Sequence, residues 1–287
     1  MKRILTSYWT GKMARKTRNS TRRRRKKNDG LSKANILKIM VLVAFFPSIM
    51  FLFLSQRSSV GEIDPLTFCD RGEISPVISI LIDVSDEIEI VKRTNIINDL
   101  TSYANTIPKN ARVDIYFVTG IEKSLPTAVF SKCNPGEPRS YDGLTRNEVT
   151  LRRRFEKEFI GELKKALTSE LVGKPAKHSP IIESIRSVAA QSFTGLFDRN
   201  QSQLIVVSDM LQNTKVYSHY KGDLDFEAFN NSPQWANAFA RLDGVEVRLM
   251  YIMRGGNSLK FQNKEHIGWW EQYFLANKAE ITRIDRY

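Results

Sequence analysis

The stretch PVISILIDVS, residues 76–85, decides the fold of this chain. It is a nearly continuous apolar run that contains an aspartate close to its end, as does a second run, QLIVVSD, at residues 203–209. Runs of this kind are typical of strands that are buried on both faces, as the strands of a parallel sheet are. The two runs therefore predict two central strands of one sheet.

The segments around these strands alternate between strand and helix patterns. Further strands are predicted at residues 113–119, 127–130, 245–253 and 280–284. Helices are predicted at residues 97–107, 155–167, 180–193, 233–242 and 267–274. This alternation predicts an α/β domain over residues 76–287, with a doubly wound, mostly parallel sheet and helices on both faces. In such sheets ligands bind at the carboxyl ends of the strands, near the switch in strand order.

The amino-terminal part of the chain is strongly basic. Residues 1–38 contain 14 of the 44 Lys and Arg residues but only one acidic residue, Asp29, so the net charge of +13 belongs to this arm. The rest of the chain carries 30 basic and 30 acidic residues, which excludes a basic nucleic-acid-binding body. Residues 1–35 lack apolar periodicity and are predicted to be a disordered arm.

Residues 36–54, ILKIMVLVAFFPSIMFLFL, predict one transmembrane helix. Nineteen residues at about 1.5 Å each span roughly the hydrocarbon core of a bilayer. A buried core helix and a cleaved signal peptide are the alternatives, although no small-residue cleavage site follows Leu54. The basic flank predicts a cytoplasmic arm that contacts anionic lipid headgroups, whereas a nuclear localisation signal is the competing interpretation of the run at 22–27. The linker, residues 55–75, and the α/β domain would then lie in the periplasm or outside the cell.

The chain has two cysteines, Cys69 and Cys133, and both lie in turn-like surroundings beyond the predicted span. In an oxidising compartment they would form a disulfide, and two buried free thiols are the alternative. Two cysteines without a CxxC pair argue against a redox or zinc role.

Carboxylates and hydroxyl groups are predicted to meet at one edge of the sheet. Asp83 and Ser85 end the first strand, Asp209 ends the second, and Ser179 lies in a loop that opens a helix. Such oxygens are the ligands that Mg²⁺ or Mn²⁺ prefers. The alternative is that these residues only cap helices, a role that suits Ser179 before Pro180.

At these residues the chain resembles the von Willebrand factor A (vWA) domain family. That family's metal-ion-dependent adhesion site combines a DxSxS motif, a later Thr and a later Asp. By resemblance Asp83 and Ser85 match the motif, Ser179 stands for the Thr and Asp209 for the late Asp. Glu87 stands where the family has Ser and adds a charge. The resemblance implies a protein-binding domain in which a partner's acidic side chain completes the coordination of the ion.

The long polar segment after Asp209 carries further candidate residues. Tyr217 and Tyr220, together with Glu87, are predicted to contact the partner, since tyrosine is enriched at interfaces. Phe226 and Phe229 either join that surface or dock the loop on the domain. The two loop histidines, His178 and His219, are predicted to be exposed, because they lack a compact metal-ligand spacing.

The sequence therefore predicts a single-pass membrane protein, not an enzyme, whose vWA-like domain binds another protein outside the cytoplasm, with a divalent cation as a candidate cofactor. No Ser-His-Asp or Cys-His motif has a recognisable local context. A metal-free structural component of a cell-envelope assembly is the alternative function. A hydrolase that depends on Asp83 has less support.

Overall fold

The computed structural model describes residues 38, 40, 45–51, 63–70, 74–120, 126–137, 148–173, 175–195, 197–221 and 224–287. The chain divides into two compact units, Met1–Val60 and Gly61–Tyr287. The described residues of the first unit are helical. Within the described part of the chain, no helix has the length and apolar character needed to cross a bilayer. The predicted arm, residues 1–35, and most of the predicted span, 36–54, lie outside the described residues.

The second unit is built on a six-stranded sheet. The strands are β1 (Val77–Asp83), β2 (Arg112–Val118), β3 (Ala128–Cys133), β4 (Gln203–Ser208), β5 (Glu246–Tyr251) and β6 (Glu280–Arg286). Their order is β3-β2-β1-β4-β5-β6, and only the β2–β3 pair is antiparallel. The prediction of a mostly parallel α/β sheet is confirmed. All seven residues of β1 are buried, which is why its sequence is a continuous apolar run.

Seven α-helical segments are described in this second unit. They are α1 (Ile90–Ala104), α2 (Glu148–Arg153), α3 (Glu162–Glu170), α4 (Ile181–Ser192), α5 (Phe226–Asn230), α6 (Trp235–Ala238) and α7 (Lys264–Ala276). A π-helical segment, Arg154–Gly161, joins α2 to α3. The helix predicted at residues 233–242 is much shorter, because Phe239 is extended and the N–H of Ala240 donates to the side chain of Asn277.

Two apolar layers cover the two faces of the sheet. Leu81 packs in one layer with residues of α4–α7. Ile80 and Ile82 pack in the other layer with residues of α1, the π-helical segment and α3. Helices on both faces are thus confirmed. The adjacent residues Trp269 and Trp270 of α7 are both fully buried.

The two edge strands of the sheet, β3 and β6, differ in what covers them. At one edge Cys133 of β3 forms the predicted disulfide with Cys69, and its N–H donates to the carbonyl of Thr67 (2.7 Å). The turn around Thr67 therefore covers part of the outer edge of β3. At the other edge β6 pairs only with β5 among the described strands.

Candidate functional site

The candidate site lies where β1 and β4 end side by side. These strands are parallel neighbours with Ile82 opposite Val207, so Asp83 and Ser208 end them at the same level. The connections diverge here, since β2 and β3 continue the sheet on one side while β5 and β6 continue it on the other. This is the position at which open α/β sheets form a ligand crevice.

The Asp83 carboxylate organises the first half of the site. It is 3% exposed and accepts hydrogen bonds from the N–H of Ser85 (2.9 Å), the hydroxyl of Ser179 (2.8 Å) and the hydroxyl of Ser208 (3.0 Å). The structure therefore brings the predicted residues Asp83, Ser85 and Ser179 together. Ser208, which the sequence interpretation missed, is the last residue of β4 and could have been found by the same strand-end argument.

Backbone hydrogen bonds between two loops place Ser179 in the site. Ser179 and Asn213 exchange both of their backbone hydrogen bonds (2.9 and 3.0 Å). Gly120, with φ +71°, lies against the same loop, and a Cβ atom at this position would be 2.4 Å from the Cβ of Ala176 and 2.6 Å from the carbonyl oxygen of His178. A glycine is therefore required where β2 leads into the site.

The Asp209 carboxylate organises the second half. It is 2% exposed, and it accepts hydrogen bonds from the N–H of Leu211 (2.9 Å) and from Nε of Arg254 (2.7 Å). Burial and the nearby Asp83 carboxylate raise the pKa of Asp209 to about 6, although the Arg254 guanidinium acts in the opposite direction.

Arg254, which the sequence interpretation also missed, provides the positive charge of the site. Besides Asp209, its guanidinium donates to the backbone carbonyl of Glu87 (2.8 Å) and lies 3.6 Å from the carboxylate of Asp86. Its own backbone N–H donates to the side chain of Gln262 (2.7 Å), which also donates to the carbonyl of Asp209 (3.1 Å). The sequence signal was its position, three residues beyond the end of β5 and so at the same edge of the sheet.

This donor set does not fit a divalent ion well. The oxygens of Asp83 and Asp209 already accept hydrogen bonds, and Arg254 places a fixed cation beside Asp209. Within the described ranges, no group of three or more His, Cys, Asp or Glu side chains is arranged to hold a metal. Metal binding by Asp83, Ser85, Ser179 and Asp209 stays a prediction, and the arrangement of Arg254 argues against it.

The prediction that His219 is exposed is wrong, since this residue is 1% exposed. Its Nδ1 lies 3.0 Å from Nε2 of His266, which is fully buried, and Nδ1 of His266 is 2.7 Å from the hydroxyl of Tyr251. Burial lowers the pKa of His219 to about 3 and that of His266 to about 4, so both rings are neutral at pH 7. His178 is half-buried.

The histidine pair supports the backbone next to Asp209. The carbonyl of Met210 accepts a hydrogen bond from Nε1 of Trp270 (2.9 Å) and lies 3.0 Å from Nε2 of His266 and 3.3 Å from Nδ1 of His219. Met210 has φ 60°, a left-handed conformation that is costly for a residue with a side chain. The ring nitrogens therefore stabilise the turn at Met210, which places the Asp209 carboxylate next to Arg254.

The predicted partner-binding residues differ in exposure. Tyr217 packs against Trp269 and Phe229, with ring centroids 5.4 and 4.4 Å apart, and belongs mainly to the aromatic core. Phe226 and Phe229 are buried and dock the segment on the domain. Tyr220 is 38% exposed and Glu87 is exposed, so both are accessible to a partner.

Comparison with known proteins does not identify a family. No family model matches the chain, and no curated protein matches it. Among solved structures, it is similar to the human COPII-coat protein Sec24c, with 11% identity and a TM-score of 0.32 over 78% of this chain and 31% of that chain. The chain thus spans about a third of the length of that structure, and the likeness is too weak to support a functional argument.

Proposed function

We propose that this chain is a single-pass membrane protein whose vWA-like domain binds another protein outside the cytoplasm, through the edge formed by the ends of β1 and β4 and without a metal ion. The observation that carries the proposal is the contact of Arg254 with Asp209, because a side chain supplies the positive charge that a metal would otherwise bring. The charge of Asp209 is thereby balanced by a side chain of the same chain, before any partner binds.

Exposed apolar side chains next to the site support protein binding. Ile90 and Val91 open α1, just beyond Asp86, and are 71% and 70% exposed. Leu259, 51% exposed, precedes Gln262, whose side chain contacts the backbone of Asp209 and Arg254. Exposed apolar side chains near a polar cluster are typical of protein-binding surfaces.

The compartment is supported by the disulfide and by the amino-terminal sequence. The Cys69–Cys133 bond favours an oxidising environment. The apolar stretch 36–54 behind a basic arm favours a membrane anchor with its amino terminus in the cytoplasm. Protease added from outside an intact cytoplasmic membrane should then digest residues 76–287 and spare residues 1–35, whereas protection of the whole chain would refute this topology.

Cation-dependent binding is the second candidate function, favoured by the hydroxyl groups of Ser179 and Ser208 that gather around Asp83. Mg²⁺ or Mn²⁺ would have to compete with Arg254 for Asp209. Calorimetric titration of the full chain with these ions, with Asp83→Ala as control, distinguishes the two functions. We expect no saturable heat, and saturable binding that is lost in the variant would favour the cation-dependent function.

The experiment that tests the proposed function is photo-cross-linking in cells that express the full chain. A photoreactive amino acid replaces Tyr220 or Leu259 beside the site, and the matched control replaces Leu275, which is 63% exposed at the end of α7. We expect a discrete cross-linked protein from the first two positions, unchanged by EDTA, and none from the control. Failure of both site positions, or a product equally strong at Leu275, would contradict the proposed binding edge.

A further inference from the structure

We propose that the free edge of β6 binds an extended, acidic segment of another protein as a seventh strand of the sheet. This inference is independent of the proposed function, because it concerns a different edge of the sheet and other residues.

The outward backbone groups of β6 provide the first part of the argument. The N–H of Tyr287 donates to the carbonyl of Tyr251 (3.0 Å), and its carbonyl accepts from Met253 (2.8 Å), so both groups of Tyr287 point toward β5. Backbone groups alternate in direction along a strand, which turns those of Ile284 and Arg286 away from β5. Within the described part of the chain no strand pairs with them. Up to about four hydrogen bonds are therefore open to an added strand.

Two grooves flank this edge on opposite faces of the sheet. The α7 groove, about 630 Å³, is lined by Lys264, Ile267 and Glu271 of α7 and by Ile284 and Arg286 of β6. The α1 groove, about 620 Å³, is lined by Lys92, Asn95, Asn98, Asp99, Arg286 and Tyr287. An added strand would direct its side chains alternately into these two grooves, since successive side chains point to opposite faces.

The helices are placed as walls for such a strand. The lining residues of α7 are spaced three and four residues apart, and those of α1 begin with the same spacing, so each helix turns one continuous face toward the groove. The edge of β6 thus has a helix face beside it on each side of the sheet. The register of the β5–β6 pair shifts between Val247 and Arg248 of β5. Regular pairing of β6 with β5 is therefore limited to the last residues of β6.

The charged residues that line the two grooves indicate what kind of segment would bind at β6. Lys264 and Arg286 are exposed and form no ion pair among the described residues, and Glu271 is the only acidic residue that lines the α7 groove. Arg286 lines both grooves, but the charges that α1 itself contributes are already engaged. Lys92 contacts Glu89 and the carbonyl of Met253, and Asp99 accepts a hydrogen bond from the hydroxyl of Tyr287. The α7 groove therefore has excess positive charge beside apolar Ile267 and Ile284. It fits an acidic side chain next to a β-branched one.

The test is a selection of ten-residue displayed peptides on the full chain, followed by affinity measurement of the selected peptides. The key variant is Ile284→Pro, which removes an outward N–H without removing a bond to β5. The matched control is Ile284→Ala, which removes the same packing but keeps the N–H. We expect peptides rich in acidic and β-branched residues, with affinity about tenfold weaker for Ile284→Pro than for Ile284→Ala.

Two further readouts complete the test. Bound peptide should slow hydrogen exchange of the Ile284 and Arg286 amides, and Lys264→Glu with Arg286→Glu should reverse the charge preference of the selection. No enriched peptide, or equal affinity for the proline and alanine variants, would overturn the proposal. A dimer that Ile284→Pro dissociates would also overturn it, because a second copy would then be the occupant.

Discussion

Arg254 can be tested by replacing it with methionine, which keeps most of the apolar stem but removes the charge. Among the described residues, the buried Asp209 carboxylate then retains the N–H of Leu211 as its one hydrogen-bond donor. An isolated buried charge costs about 3–5 kcal/mol, so Asp209 is expected to bind a proton instead. The cost of that protonation sets the size of the effect.

The magnitude follows from the pKa of Asp209. Each pKa unit corresponds to about 1.4 kcal/mol, so holding Asp209 protonated at pH 7 against its ordinary pKa of 3.8 costs about 4 kcal/mol. The native protein already carries about 3 kcal/mol of this cost, because the pKa of its Asp209 is about 6. The extra 1 kcal/mol, with about 1–2 kcal/mol for the lost hydrogen bond to the carbonyl of Glu87, gives about 2–3 kcal/mol.

The assay is thermal unfolding of the full chain at pH 7 and pH 5. For a domain of this size about 2–3 kcal/mol lowers Tm by roughly 5–10 °C. The loss should shrink at pH 5, where Asp209 is protonated in both proteins, and also in an Asp209→Asn background. A loss that is the same at both pH values and in both backgrounds would refute the assignment of Arg254 as the internal cation.

The remaining predictions concern other contacts. Burial lowers the pKa of His219 to about 3 and that of His266 to about 4, so the free energy of unfolding should fall as pH drops from about 6.5 to 4. The raised pKa of Asp209 has a smaller effect in the opposite direction. Measurement of Tm against pH checks this, and an unchanged slope in His219→Gln would contradict it. Replacing Cys69 and Cys133 with serine should lower the free energy of unfolding by up to about 4 kcal/mol, because the bond closes a loop of 64 residues; denaturant titration that shows no change would argue against this bond. Gly120→Ala should lower it by about 2–3 kcal/mol through the clash with the loop at Ala176, and a fully stable variant in the same titration would refute the requirement for glycine.

The sequence predicted the parts of the fold that depend on local pattern. The apolar runs that became β1 and β4 are buried along almost their whole length, so their composition alone identified them. The proximity of Asp83 and Asp209 followed from the rule that parallel strands end at one edge. The helix at residues 233–242 was predicted too long because Asn277, distant in sequence, captures the N–H of Ala240.

The parts that escaped prediction depend on contacts between distant segments. Arg254 reaches Asp209 across 45 residues, and no spacing rule indicates such a pair. His219 is buried because Trp269 and Trp270 close over it from α7, with ring centroids 4.7 and 5.6 Å away. A polar loop sequence predicts exposure, and only the tertiary packing of aromatic rings reverses it.

The unequal edges of the sheet limit how copies of this domain can assemble. At β3 a disulfide and the turn at Thr67 cover part of the edge, whereas the edge at β6 is open among the described strands. A sheet that can be extended from one side only cannot propagate head to tail into a fibre, because growth requires two adhesive ends. With β6 as the open edge of the described sheet, the strand addition proposed above would complete an assembly and would not extend it further.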